Sequence, residues 1–163
     1  VHAVVSGLML NFVPQPNRAV AEMARTAKPG SVVAAYVWDY AGKMQLMRHF
    51  WNAAAALYPT AHDLDEGRRF SICQPDPLRE LFECAGLSHV EVHPIDIATD
   101  FQDFDDYWIP FLGGQGSAPG YVQSLSDEQQ AALRERIRAG LPFARDGSIP
   151  LVARAWAARG FRQ

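Results

Sequence analysis

The first forty residues place the tightest constraint on what this chain can become. Val1 to Val5 is apolar almost without a break, and Ser31 to Trp38 (SVVAAYVW) is a second such run. Continuous apolar runs of this length suit strands covered on both faces, as in a parallel sheet. Between them Pro14 and Pro16 interrupt the chain, and Pro16 suits the first position of a helix because its missing N–H would have had no partner there. Val20, Met23 and Ala27 then fall on one helical face from Arg18 to Lys28, and Pro29-Gly30 stops the helix. A strand, a helix of about a dozen residues and a strand make a βαβ unit, which demands parallel strands and a right-handed crossover. The fold class is therefore α/β.

The rest of the chain adds elements to that start. Lys43 to Tyr58 reads as a helix with two apolar stripes, one through Met44, Met47, Trp51, Ala54 and Tyr58, the other through Leu46, Phe50, Ala53 and Leu57. So broad an apolar surface needs cover on more than one side and marks an inserted cap. Ala61 to Gln74 is polar and reads as irregular. Asp76 is placed as the N-cap of the next helix, with Pro77 first, Leu78, Leu81, Phe82 and Ala85 as its core stripe and Gly86 as its stop. His89 to His93 alternates as a strand with Val90 and Val92 inward. Phe101 to Phe111 is aromatic and acidic, and Gly113 to Gly120 reads as a glycine-rich loop. Ser126 and Gln129 form a capping box for a helix to about Arg138. Arg145-Asp146-Gly147 is a turn before a closing strand from Ser148 to Ala158. No internal repeat is present.

A chain of 163 residues is enough for one domain with a core of its own. The net charge of −3 argues against nucleic acid as a partner, since that footprint is basic. No apolar run reaches the ~18 residues of a membrane span, so no membrane partner is expected. Cys73 and Cys84 lack metal or redox spacing and read as unpaired thiols in a reducing cytoplasm. No metal is expected either: His89 and His93 share a strand face and His62 lies near Asp65 and Glu66, but neither set has ligand spacing. Gly113-Gly114-Gln115-Gly116 is not preceded by a strand or followed by a helix start, so it is not a phosphate loop. Arg134, Arg136 and Arg138, with Glu128 and Glu135, read as a solvated helix face.

Several local signatures sit on this frame: Val4-Val5-Ser6 through Leu10-Asn11-Phe12, Glu22-Met23-Ala24-Arg25 closing on Lys28-Pro29-Gly30, and Leu78-Arg79-Glu80-Leu81-Phe82 running into Ala85-Gly86-Leu87. In that order and spacing they resemble the C-terminal half of a class I S-adenosylmethionine-dependent methyltransferase of the small-molecule type. The resemblance implies a Rossmann-like sheet of seven strands with a final antiparallel strand. This chain would supply the fourth (1–5), fifth (32–38), sixth (89–93) and seventh (149–158). Residues 1–163 would be a partial domain with cap insertions at about 41–75 and 99–145. The family's glycine-rich turn after the first strand, and the acidic residue that holds the ribose, have no match here, and His2 stands where the family usually has an acidic residue.

The resemblance further implies S-adenosyl-L-methionine as cofactor and a small-molecule acceptor as partner. Methyl transfer is an in-line displacement at a sulfonium, so the protein supplies mainly orientation and a dry pocket. Ser6, Gly7 and Leu8, in the loop leaving the fourth strand, are the cofactor-binding candidates through their backbone, at the strand end where open α/β sheets bind ligands. Asn11 and Phe12 follow as residues facing the acceptor. Tyr36, Trp38 and Tyr40 are aromatic walls at the end of the next strand, and Asp39 is the candidate base by position. Trp51, Phe70, Tyr107, Trp108 and Phe111 in the insertions would form an aromatic cap. With three strands missing, 1–5 becomes an open edge that pairs with something, giving a homodimer or a strand-to-strand complex. Three readings follow: a methyltransferase portion inactive alone, a non-catalytic self-associating α/β module, or, more remotely, an oxidoreductase, for which neither a Tyr-x-x-x-Lys pair nor a dinucleotide fingerprint is found.

Overall fold

The computed structural model describes residues 1–163. Its strands are β1 (Ala3–Gly7), β2 (Val32–Trp38), β3 (Leu87–Phe101) and β4 (Ile149–Arg162). The helices are α1 (Pro16–Thr26), α2 (Gln45–Leu57), the single turn α3 (Glu66–Arg69), α4 (Pro75–Cys84), α5 (Phe104–Leu112), α6 (Ser117–Ser124) and α7 (Asp127–Gly140). The strands form one mixed sheet in the order β1-β2-β4-β3. β1 and β2 are parallel, as the βαβ reading requires, with Ala3 opposite Val32 and Gly7 opposite Tyr36. β4 runs antiparallel to β2, from Val32 opposite Phe161 to Trp38 opposite Ala155.

Five readings of the sequence need correction. β1 is not covered on both faces: it is the edge of the sheet, and Val5 is 65 % exposed. α4 starts at Pro75, two residues before the expected Pro77, with Gln74 as the flanking residue. Both prolines fit a first turn, because neither needs an N–H there. Ala61 to Gln74 is not irregular but carries the 3-10 turns Pro59–Leu64 and Ser71–Cys73 and the turn α3. The glycine-rich stretch does run into a helix, since Gly116 flanks the start of α6 at Ser117. β3 is also three times longer than the five residues expected.

The chain divides into two compact units. The first comprises Val1–Asp39, Phe70–Asp96 and Arg154–Gln163, and the second Tyr40–Arg69 and Ile97–Ala153. In the first, α1 packs against α4. Val20 and Ala24 of α1, Leu78 and Phe82 of α4, Val33, Ala35 and Val37 of β2, and Ala155 and Ala158 of β4 are all buried. The alternation along β2 shows a strand with one well-covered face, with Tyr36 turned to the surface.

The second unit has a separate core of Phe50, Trp51, Phe104, Tyr107, Trp108, Phe111, Tyr121, Leu133, Ile137 and their neighbours. The aromatic rings pack directly, Phe50 stacking on Phe111 at 4.5 Å. Two of its helices, α5 and α7, carry side-chain caps. The Asp103 side chain accepts from the Asp106 N–H, and Ser126 and Gln129 exchange both bonds of the capping box. The three arginines of α7 do not share one solvated face. Arg134 and Arg138, one turn apart, lie over the Phe104 ring at 5.3 and 5.4 Å, and Arg134 also pairs with Asp105. Arg136 points the other way, into a shallow cleft with His49 and Asn52. Burial lowers the pKa of His49 there.

Candidate functional site at the carboxyl ends of the first two strands

Because β1 and β2 are parallel, their carboxyl ends lie at the same end of the sheet, and a left-handed residue and a crowded glycine sit there together. The Leu8 N–H donates to the Tyr36 carbonyl at 2.8 Å. Leu8 then takes φ = +55°, a left-handed conformation that costs a residue with a Cβ about 1–2 kcal/mol. Beside it Gly7 is crowded. A Cβ there would lie 2.4 Å from the Tyr36 hydroxyl and 2.6 Å from the ring carbon that bears it, so the phenol occupies the place a side chain would need. Strain held at one strand end, with a bare backbone next to it, is the local form of a site where something approaches the main chain.

Gly7→Ala is therefore expected to displace the Tyr36 ring. A half-exposed tyrosine can swing, which keeps the loss to about 1–2 kcal/mol in chemical denaturation. The pair Gly7→Ala with Tyr36→Ala should recover most of that loss, because the clash has one partner.

The chain after Leu8 makes a 3-10 turn, Leu10–Phe12, with Leu10 buried. Asn11 is half-buried, and its amide nitrogen is buried with no hydrogen-bond partner. An orphaned donor of this kind costs about 1–3 kcal/mol. Phe12 is exposed and meets Phe70 edge-on at 5.4 Å. At the end of β2, Trp38 is half-buried and Asp39 is buried. The Asp39 N–H donates to the Arg154 carbonyl at 2.8 Å, which fixes the backbone that carries the carboxylate. Burial, and secondarily the Asp39 charge, push the thiol of fully buried Cys73 up to about 12. Cys73 is thus a protonated packing group and not a nucleophile.

The structure therefore brings Ser6, Gly7, Leu8, Asn11, Phe12, Tyr36, Trp38, Asp39 and Phe70 into the first unit. Tyr40, Trp51, Tyr107, Trp108 and Phe111 belong to the second. There Trp51, Tyr107 and Trp108 are core residues, at most 5 % exposed. The Tyr107 hydroxyl donates to the Leu46 carbonyl at 2.8 Å, and burial holds its proton on. The Trp51 indole N–H donates to buried Glu66 at 2.5 Å.

That last contact opens a polar cluster the sequence reading missed. Asp65 and Glu66 are both buried. The Arg48 guanidinium is hydrogen-bonded to both oxygens of Asp65. The same carboxylate accepts from the Gly67 N–H at 2.8 Å. Gly67 itself is packed against main chain. A Cβ would lie 2.8 Å from the Tyr40 carbonyl oxygen and 2.9 Å from the Ala41 Cα, so no side chain fits. The available signal was Asp65-Glu66-Gly67, two carboxylates against a glycine, with the arginine seventeen residues earlier.

No protein-family model matches the chain, and no curated protein matches its sequence. Solved structures do resemble it. A candidate methyltransferase from Bacillus halodurans C-125 superposes with a TM-score of 0.53 at 11 % identity, over 99 % of this chain and 69 % of that one. The YcgJ protein from Bacillus subtilis superposes with the same TM-score of 0.53 at 14 % identity, over 99 % of this chain and 64 % of that one. A weaker likeness, TM-score 0.46 at 12 % identity, is to phosphoethanolamine N-methyltransferase 2 of Haemonchus contortus in complex with phosphomonomethylethanolamine and S-adenosylhomocysteine. It covers 99 % of this chain but only 33 % of that chain. The present chain thus spans between a third and about two thirds of the length of these structures, and its fold is the α/β fold of the class I methyltransferases.

Proposed function

We propose that the chain is the fourth-to-seventh-strand portion, with helical cap insertions, of an S-adenosyl-L-methionine-dependent methyltransferase acting on a small molecule. The observation that carries this reading is the strained Leu8 and crowded Gly7 at the carboxyl end of β1, in a chain with this fold. The cofactor, when bound, supplies an electrophilic methyl group on a sulfonium. The residues present fit its amino-acid end. The main chain of Ser6, Gly7 and Leu8 lies at the strand end, the Tyr36 ring offers a face to a cation, and Asn11 carries an unused donor.

In this reading Asn11, Phe12 and Trp38, all in the first unit, orient the acceptor. Trp51, Tyr107 and Trp108 give the cap its shape from within its core. Asp39, buried at the end of β2, accepts the proton that an acceptor heteroatom sheds as the methyl arrives, and methylation of a group without such a proton would not need it. Cys73 and Cys84 are both free thiols, which supports a reducing compartment such as the cytoplasm. No helix is long and apolar enough to cross a membrane.

The 163 residues hold no glycine-rich turn following a strand, so they grip only part of the cofactor and are inactive or nearly so alone. The test is titration of S-adenosylhomocysteine into the isotopically labelled chain, read by backbone amide shifts. Saturable shifts confined to Ser6–Phe12 and Tyr36–Asp39, with a Kd of about 0.1–1 mM, are expected. Unmoved amides at these positions with millimolar ligand would defeat the proposal.

A further inference from the structure

The cleft between α2 and α7, inside the second unit, is lined by polar side chains that the fold itself does not use. His49, Asn52 and Ala53 lie three and four residues apart and so share one face of α2. Arg136 and Gly140 share a face of α7 in the same way. Where the two faces meet, the short side chain of Ala53 and the bare Gly140 leave a hollow of about 320 Å³. A Cβ added at Gly140 would meet nothing within 4 Å. Ala53 and Ile137, both buried, form its apolar floor.

The rim is a set of hydrogen-bonding groups without partners. The Arg136 guanidinium, the Asn52 amide and the His49 imidazole make no side-chain hydrogen bond or ion pair within the chain. The other two arginines of α7 are engaged: Arg134 pairs with Asp105, and Arg134 and Arg138 both lie over the Phe104 ring. No aspartate or glutamate lines the hollow. Burial lowers the pKa of His49, so its ring is neutral at physiological pH and the hollow carries one positive charge, that of Arg136.

We propose that this cleft is a binding site for a small organic monocarboxylate. The planar guanidinium fork matches the two oxygens of a carboxylate. The Asn52 amide and the neutral imidazole each add a donor beside it, and the apolar body of the ligand rests on Ala53 and Ile137. One cation balances one carboxylate and leaves the second charge of a phosphate uncompensated. Gly140 ends α7, where the helix carries partial negative charge, so the carboxylate sits toward Arg136 and Asn52 and away from Gly140. The inference does not depend on the methyltransferase reading.

The test is titration of sodium benzoate, and separately of inorganic phosphate, into the isotopically labelled chain. Binding is read from the backbone amides and from the Arg136 Nε–H resonance. Saturable shifts at 49–53 and 136–140 are expected with benzoate, at a Kd of about 1 mM, with phosphate about tenfold weaker or worse. Arg136→Gln should weaken benzoate binding by about tenfold or more, a loss of at least ~1.4 kcal/mol. Arg138→Gln removes the same charge from the same helix but not from the cleft, and should leave the Kd within about twofold. Should Arg136→Gln fail to fold by circular dichroism, the Arg136 Nε–H of the native chain decides, since it must follow the same saturation curve as the amides. Four results would each overturn the proposal: no saturation by about 20 mM benzoate, phosphate bound as tightly as benzoate, equal losses in the two variants, or an Arg136 Nε–H that does not move.

Discussion

Replacing Trp51 with alanine is expected to destabilise the second unit by about 5 kcal/mol. Truncating a buried tryptophan costs about 3–5 kcal/mol through lost transfer energy and the cavity left behind. Trp51 is 1 % exposed, at the centre of a core shared with Phe50 and Tyr121, so that range applies in full. To it is added the orphaning of Glu66, whose carboxylate loses the indole donor within the core, at about 1–3 kcal/mol. The two parts separate experimentally. Trp51→Phe keeps most of the volume and should cost about 2 kcal/mol, nearly all from the stranded carboxylate. Trp51→Phe combined with Glu66→Met should be much closer to the native chain than Trp51→Phe alone. Urea unfolding followed by near-ultraviolet circular dichroism measures all three. If Trp51→Phe proves as costly as Trp51→Ala, packing shape and not the carboxylate governs the site.

Asp65→Ala should be nearly as damaging, at about 3–5 kcal/mol, because it strands the Arg48 guanidinium. The Arg48 and Asp65 side chains are 17 % and 7 % exposed, so solvent screens the pair little. The change also removes the acceptor of the Gly67 N–H, at a turn with no room to rearrange. The cost of breaking such a pair is not its net worth. Desolvating both ions offsets most of their attraction, and an apolar pair of similar volume often does as well. Arg48→Met with Asp65→Leu is therefore expected to lie within about 2 kcal/mol of the native chain, although each partner removed singly is severe. A double variant no better than Asp65→Ala would mean that the carboxylate serves the Gly67 turn more than the arginine.

The readable parts of the sequence were those where local chemistry alone decides. Pro16 opens α1 where a missing N–H costs nothing, and Ser126 with Gln129 meet the first-turn N–H groups of α7 within four residues. The parallel β1–β2 pair follows from the crossover between them. Readings failed where the deciding partner is distant. The strand expected at His89 to His93 runs on past Pro94, because β3 is an edge, where a proline is tolerated, and continues through exposed Ile95 and Ile97. Residues 61–74 read as polar and irregular because Arg48 and Trp51, which hold Asp65 and Glu66 in the interior, lie on another helix. At the strand ends, Ser6 and Gly7, expected in the loop after residues 1–5, are the last residues of β1, and only Leu8 follows the strand. The Tyr36 ring lying over Gly7, and the unpaired Asn11 amide, depend on contacts that no local pattern encodes.

The position of β4 has a consequence for how the protein is made. β2 is complete by Trp38, yet its antiparallel neighbour is the last strand, with Phe161 opposite Val32. A ribosome delivers the chain amino end first, so Val33, Ala35 and Val37 wait unpaired on one side until residues 155–161, more than a hundred positions later, have been made. Contacts so far apart in sequence form late and slowly, and a bare apolar strand is prone to aggregate in the meantime. The β2–β4 pairing thus cannot form before residues 155–161 have been made, and the growing chain up to that point is the species most exposed to aggregation.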